Sequence, residues 1–228
     1  MFHKKLFLAM TLMLVLGFNF RAYSSNENMD FKILKHSISS FQFSMANIFF
    51  NDKNYFDAKR YYLYSSENDN SDATAYIGFL YEEGLGVEKS YDEAMSWYLK
   101  ASKQSNGLAQ NNIGSLYDYG FGVKQDYKKA MEWYKKSDKN GYEKASNNIG
   151  YLYQNGLGVD INYRKAMEWY LKSAAKNNAG AMYNIGYLYE KGLGVPMDIN
   201  KAKEWYNKAS KLGLEIAKFR LNLLERKY

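Results

Sequence analysis

The chain has 228 residues, 46% of them hydrophobic and 18% aromatic, with a single proline, 17 glycines and no cysteine. That composition excludes a disordered segment, which is poor in aromatic residues, and a disulfide scaffold, which needs cysteine pairs. The formal charge of +7 rests on 31 basic and 24 acidic residues spread along the chain, too mild and too scattered for the dense basic stripe of a nucleic-acid binder.

Residues 1–24 read as a secretory signal peptide. Lys4 and Lys5 precede an apolar run from Leu6 to Leu16, and Ala22-Tyr23-Ser24 supplies a small-x-small cleavage site. The run is short beside the roughly 20 residues a membrane span needs, so no stable membrane insertion is expected after cleavage. A retained anchor is the alternative, and no cysteine follows the run to accept a lipid. The expectation is an exported chain, periplasmic or secreted in a bacterium. Cleavage would remove Lys4, Lys5 and Arg21 and no acid, which lowers the charge from +7 to +4.

Residues 25–40 form a polar tail and the start of a first helix. From Asp30 to Phe50 the pattern is amphipathic, and one helix or two fit it equally well. A degenerate unit occupies 41–71, where Asn54 is placed to cap a helix carrying Ala58, Tyr61 and Tyr62. Four clear units follow at 72–107, 108–143, 144–179 and 180–213, and a capping helix at 214–228 closes the array. The second unit shows the frame: Gly114, Leu116-Tyr117, Gly120-Phe121-Gly122-Val123, Asp126, Ala130 and Trp133-Tyr134. The other three repeat it at a spacing of 36 residues. Such a unit cannot bury a core alone, so neighbours must stack.

Each unit reads as two helices. The first stops at the leading glycine of Gly-x-Gly-Val, and the second starts at Ser90, Asp126, Asn162 or Asp198, all preferred N-cap residues. Gly-x-Gly-Val follows a helix rather than a strand and lacks Lys-Ser/Thr, so it is read as a connection between helices and not as a phosphate loop. Val87, Val123, Val159 and Val195 are expected to plug that junction. The Trp-Tyr pairs lie at helical spacing from small residues, which assigns both rings to the core. After the last unit, Asn222 stands where Gly186 would recur, and Lys218, Arg220, Glu225, Arg226 and Lys227 suit the solvent face of a cap.

These positions resemble the Sel1-like repeat, a relative of the tetratricopeptide repeat with a longer loop between its helices. The resemblance is strong over about Asp72 to Gly213 and weak in the flanks. It implies an all-α fold, an α-solenoid of stacked antiparallel helix pairs in a right-handed superhelix with first helices on the concave face. It also implies an adaptor or scaffold that binds proteins. Cysteine-rich exported relatives described as β-lactamases form a branch that this cysteine-free chain departs from.

Catalytic chemistry is short of parts. His36 is the one histidine beyond the signal segment, so neither a nucleophile–histidine pair nor a histidine-rich metal site is built, and no catalytic residue, metal or cofactor is assigned. The carboxylates Glu82 and Asp118, at equivalent registers, are read as a solvated edge, since nothing in the sequence marks a shifted pKa. What remains is the variable set on the first helices. At the register of Ala75 stand Asn111, Asn147 and Tyr183; at that of Phe79 stand Ser115, Tyr151 and Tyr187; beside them run Asn112, Asn148 and Asn184. Asn amides can pair with an extended backbone, and Tyr rings supply contact area with little entropy to lose. These nine residues are the candidate partner-binding surface. The expected partner is a protein or peptide, an envelope component among the possibilities. A cell-wall glycan binder is the alternative and a hydrolase the third reading.

Overall fold

The computed structural model describes residues 27–227, so the expected signal peptide lies outside the described residues. Among them are eleven helices and no strand: α1 (Glu27–Asn51), α2 (Tyr55–Glu67), α3 (Ser71–Glu83), α4 (Tyr91–Ser102), α5 (Gly107–Tyr119) and α6 (Tyr127–Lys139). The series continues with α7 (Glu143–Asn155), α8 (Tyr163–Ala174), α9 (Ala179–Lys191), α10 (Ile199–Lys211) and α11 (Glu215–Lys227). The amphipathic start of the chain is thus one helix. Consecutive helices pack as hairpins, and each hairpin rests on the next. This is the all-α helix-hairpin solenoid that the spacing demands.

Within a hairpin the glycine inside the first helix sets the approach. A Cβ on Gly114 would lie 2.7 Å from the Tyr134 ring, so only hydrogen lets α6 come this close to α5. Equivalent rings stand over Gly78, Gly150 and Gly186. Tyr98, Tyr134, Tyr170 and Tyr206 are therefore wholly buried, between small residues such as Ala130 and Ala202.

The connections follow one pattern. Gly120 ends α5 with φ of 73°, in the left-handed region where glycine is at ease. The Asp126 N–H then donates to the Tyr117 carbonyl at 2.9 Å, closing the loop, while the Asp126 side chain caps α6 by accepting from the Lys128 and Lys129 N–H groups. The same closure recurs from Ser90 to Tyr81, Asn162 to Tyr153 and Asp198 to Tyr189. Gly122 does something else. Its φ is 67°, and a Cβ there would sit 2.5 Å from the Cβ of Tyr91, at the start of the preceding hairpin's second helix. The loop thus fixes the spacing between units as well as the angle within one. Val87, Val123, Val159 and Val195 each pack against a core cluster beneath it.

Two expectations need correction. The Trp-Tyr pair divides: the tyrosine is core, whereas Trp97, Trp133, Trp169 and Trp205 are half-buried and turned back onto the neighbouring cluster. Adjacent positions on a helix face directions about 100° apart, so both rings cannot enter one seam. A lysine three residues on covers each indole: Lys100, Lys136, Lys172 and Lys208 stand 4.8, 4.0, 5.0 and 4.1 Å from the ring centres. The second correction concerns Arg220, expected on the solvent face of α11. Its guanidinium is half-buried and grips Glu190 of α9, with Nε to Oε2 at 2.8 Å and Nη2 to Oε1 at 2.5 Å. Ala217, Leu221 and Leu224 pack inward on the same helix, and that contact carries Arg220 with it.

Candidate functional site

The first helices bring the nine candidate residues into rows, because residues at a fixed offset in successive units lie side by side. The rows are cross-linked. Asn148 Nδ2 donates to Asn111 Oδ1 at 2.9 Å, Asn184 Nδ2 donates to Asn147 Oδ1 at 3.0 Å, and Asn111 Nδ2 donates to Asn112 Oδ1 at 3.3 Å. Asn111 is 7% exposed, so it positions its neighbours rather than offering a contact. Asn112 and Ser115 are half-buried beside the hydroxyls of Tyr98 and Tyr134. Tyr183, half-buried, leans on Tyr206 with ring centres 5.3 Å apart. Asn147, Asn148, Asn184 and Tyr187 are half-buried, and Tyr151 is 46% exposed. An amide has an oxygen that accepts twice and a nitrogen that donates twice. Asn148 and Asn184 each spend one donor in the ladder and keep the rest.

A second series runs along the ends of the same helices. In the four clear units the buried tyrosine hydroxyl donates to a polar side chain sixteen residues earlier: Tyr98 to Glu82 at 2.5 Å, Tyr134 to Asp118 at 3.0 Å, Tyr170 to Gln154 at 2.9 Å and Tyr206 to Glu190 at 2.8 Å. The carboxylates are not a solvated edge, as the sequence suggested. Burial pushes both Glu82 and Asp118 above their ordinary values, against the lowering effect of the tyrosine hydrogen bond. At Glu190 burial pushes the same way, but hydrogen bonds from Arg220, Tyr206 and Lys191 together with the Arg220 charge hold it down at about 2. These groups anchor hairpins: each acid is engaged by a tyrosine across the helix pair. No group of three or more histidine, cysteine or acidic side chains suited to a metal occurs among the described residues.

Sequence reasoning missed a cavity at the other end of the first helices. About 460 Å³ opens where Phe43 of α1, Asp72 and Tyr76 of α3, Leu108 of α5 and Tyr142-Glu143 at the start of α7 converge. A second cavity of 420 Å³ shares Phe43 and Asp72 with it and runs along α1 past His36, Ser40 and Ser44. Elements separated by two hairpins wall one space, so the array bends around this rim. The signal lay in two departures from the frame. Tyr142 replaces the asparagine found at 70, 106 and 178, and Phe43 sits in the irregular first helix.

Hairpins stacked in series, with a core shared between neighbours and no strand among the described residues, define a tetratricopeptide-like α-solenoid. The Sel1 repeat matches four consecutive segments, 71–106, 107–142, 143–178 and 179–214. The chain belongs to the Sel1 repeat family. A Sel1 repeat protein from Oxalobacter formigenes is 28% identical, with a TM-score of 0.71 over 78% of this chain and 75% of that one. A protective antigen of uropathogenic Escherichia coli with an SLR fold is also 28% identical, at a TM-score of 0.68 over 82% of this chain and 41% of the antigen. This chain therefore spans less than half of that protein. A Klebsiella pneumoniae Sel1 repeat protein, 16% identical over 82% of this chain and 93% of its own, shares the fold with a TM-score of 0.57. No curated protein matches the chain. Sel1 repeats are in general protein-interaction scaffolds rather than enzymes, and no helix among the described residues is long and apolar enough to cross a membrane.

Proposed function

We propose that this protein is an exported, non-enzymatic scaffold that holds a protein or peptide segment against its first-helix face, in the periplasm or outside a bacterial cell. The observation that carries the reading is the amide ladder from Asn111 to Asn148 and from Asn147 to Asn184. Hydrogen bonds between units fix each amide in orientation, and a fixed row of donors and acceptors suits a peptide backbone more than a freely rotating one would. Tyr151 and Tyr187 flank the ladder as ring surfaces. The signal-like residues 1–24 supply the export step.

The test places a photo-crosslinking side chain at Tyr151, at Tyr187 and, for comparison, at Lys135 on the exposed side of α6. A common polypeptide captured from the first two and not from the third is the expected result. Capture from Lys135 alone refutes the face assignment, and co-sedimentation with purified peptidoglycan in place of any polypeptide refutes the protein partner in favour of glycan. N-terminal sequencing of the mature protein checks export, with Ser25 expected as the first residue.

A further inference from the structure

The cavity at the α1–α3–α5–α7 rim differs chemically from the amide ladder. Phe43, Tyr76, Leu108 and Tyr142, all half-buried, line the cavity together with the polar side chains of Asp72, Asn140 and Glu143. Phe43 and Tyr76 meet edge to face at 5.8 Å, and Tyr76 stacks on the buried Tyr62 with ring centres 5.2 Å apart, so the aromatic wall is held from behind. Two carboxylates, Asp72 and Glu143, are in the lining, which contains no lysine or arginine, and the nearby Lys176 ammonium is spent on the Gly141 carbonyl at 2.9 Å. Neither carboxylate takes part in an ion pair among the described residues; Asp72 accepts one hydrogen bond, from Asn106 Nδ2 at 2.6 Å. The hydroxyl of Tyr142 is pushed up to about 12, first by burial and then by the neighbouring Glu143 and Tyr76.

Rings that offer a negative face, together with two carboxylates free of salt bridges, favour a cation that also has apolar surface to bury. Lysine and arginine side chains meet both conditions, and the planar guanidinium stacks on rings and forks onto a carboxylate better than an ammonium does. A wholly aliphatic side chain would leave the carboxylates facing apolar surface, and an anion would meet them directly. The surrounding backbone fits a peptide. The N-terminus of α7 has no side-chain cap, because Tyr142 stands where Asn caps α3, α5 and α9; the Ala145 N–H turns instead to the Tyr142 carbonyl at 3.3 Å, and the Glu143 and Lys144 N–H groups are left for carbonyl oxygens of an incoming chain. The adjoining space beside Ser40 and Ser44 gives that chain a polar continuation.

We infer that the cavity walled by Phe43, Tyr76, Leu108 and Tyr142 is a subsite for an arginine side chain of the bound peptide, with Asp72 and Glu143 as its counter-charges. This deepens the peptide-scaffold reading and rests on it. The subsite anchors one residue, the amide ladder guides the flanking backbone, and the partner is a segment bearing an arginine.

The test uses the ¹⁵N-labelled protein and three small probes: N-acetyl-arginine amide, N-acetyl-norleucine amide and N-acetyl-glutamate amide. Titrated to about 20 mM, the arginine probe is expected to shift the amide signals of Gly107, Leu108, Gly141 and Glu143, as a millimolar site would. The norleucine probe should bind about tenfold more weakly and the glutamate probe not measurably. The double variant Asp72→Asn, Glu143→Gln should lose the arginine preference, so that arginine and norleucine become equal, while its remaining spectrum shows the fold intact. Absence of shifts at those amides, equal shifts from all three probes, or a preference that survives in the double variant would each overturn the inference. The crosslinking result at Tyr151 and Tyr187 does not depend on these probes, so the subsite can fail while the scaffold reading stands.

Discussion

Arg220→Met tests how α11 is held. Glu82, Asp118 and Glu190 occupy one register and each accepts a tyrosine hydroxyl, yet the first two are raised and the third is lowered. The third differs in having Arg220, with Lys191 alongside at 3.2 Å. The Glu190 side chain is 8% exposed, and its folded value of about 2 lies below an ordinary 4.5, a gap worth about 3 kcal/mol. Because the folded value is the depressed one, this contribution is complete above about pH 4.5 and disappears as pH falls toward 2. Methionine keeps the apolar stem and removes the charge, so Glu190 should rise above its ordinary value, as its two counterparts do. In a stacked array the loss falls on the element concerned, so α11 should open locally before the rest unfolds. Hydrogen exchange at α11 amides should accelerate by about two orders of magnitude at pH 7, with wild type and variant converging near pH 2. A carboxyl resonance of Glu190 that still titrates near 2 in the variant, or exchange in α11 unchanged at pH 7, would refute the account.

Four further substitutions follow from the packing. Asp118→Asn copies the neutral amide that Gln154 already places under Tyr170, and should raise the urea midpoint at pH 7. Asp118 has a raised folded value, so its ionisation costs stability as pH rises, and the gain should vanish below the ordinary value of 3.8. Gly114→Ala would drive a Cβ to 2.7 Å from a Tyr134 ring that is 1% exposed and tied by its hydroxyl, so overpacking should outweigh helix propensity, with a net loss of about 1–2 kcal/mol by denaturation. Gly180→Ala, whose Cβ meets only Asn178 Oδ1 at 3.3 Å, should be neutral or stabilising in the same assay. Trp133→Ala removes a half-buried indole and should cost about 2–3 kcal/mol, below the range for a wholly buried ring; a melting temperature within a degree of wild type would remove Trp133 from the packing.

Much of the fold is legible because the frame states its own geometry. Glycine at 114 and tyrosine at 134 recur together in every clear unit, and the structure shows one ring lying on the other's missing side chain. The loop also reads directly, since Gly120 and Asp126 are residues that helix ends select. What periodicity does not reveal is direction within an adjacent pair. Trp133 and Tyr134 share every signal of a buried ring, and only the placement of α5, whose Gly114 lies against the Tyr134 ring, decides that the tyrosine goes under while Trp133 turns to the preceding hairpin. Arg220 fails for a related reason: a charge on an end helix reads as solvated until its partner, thirty residues away, is placed beside it.

The candidate surface divides along the same line. Residues that repeat, such as Asn112, Asn148 and Asn184, are drawn into the structure, and the ladder shows why repetition by itself does not distinguish binding from assembly. A hydrogen bond between units needs the same residue in each unit, and so does a periodic ligand. Departures from the frame are more informative, because packing between identical units does not require them. Tyr142 gives up a helix cap that its three counterparts keep, at a cost of about 1 kcal/mol, and what it gains is a ring in the α1–α3–α5–α7 cavity. Phe43 meets it there from a helix that has no Gly-x-Gly-Val connection after it. Stacking of the hairpins accounts for Phe43, which packs on Tyr62 and Tyr76, but does not by itself account for the lost cap at Tyr142. A ligand that uses the Tyr142 ring would offset that loss, as the inferred subsite requires.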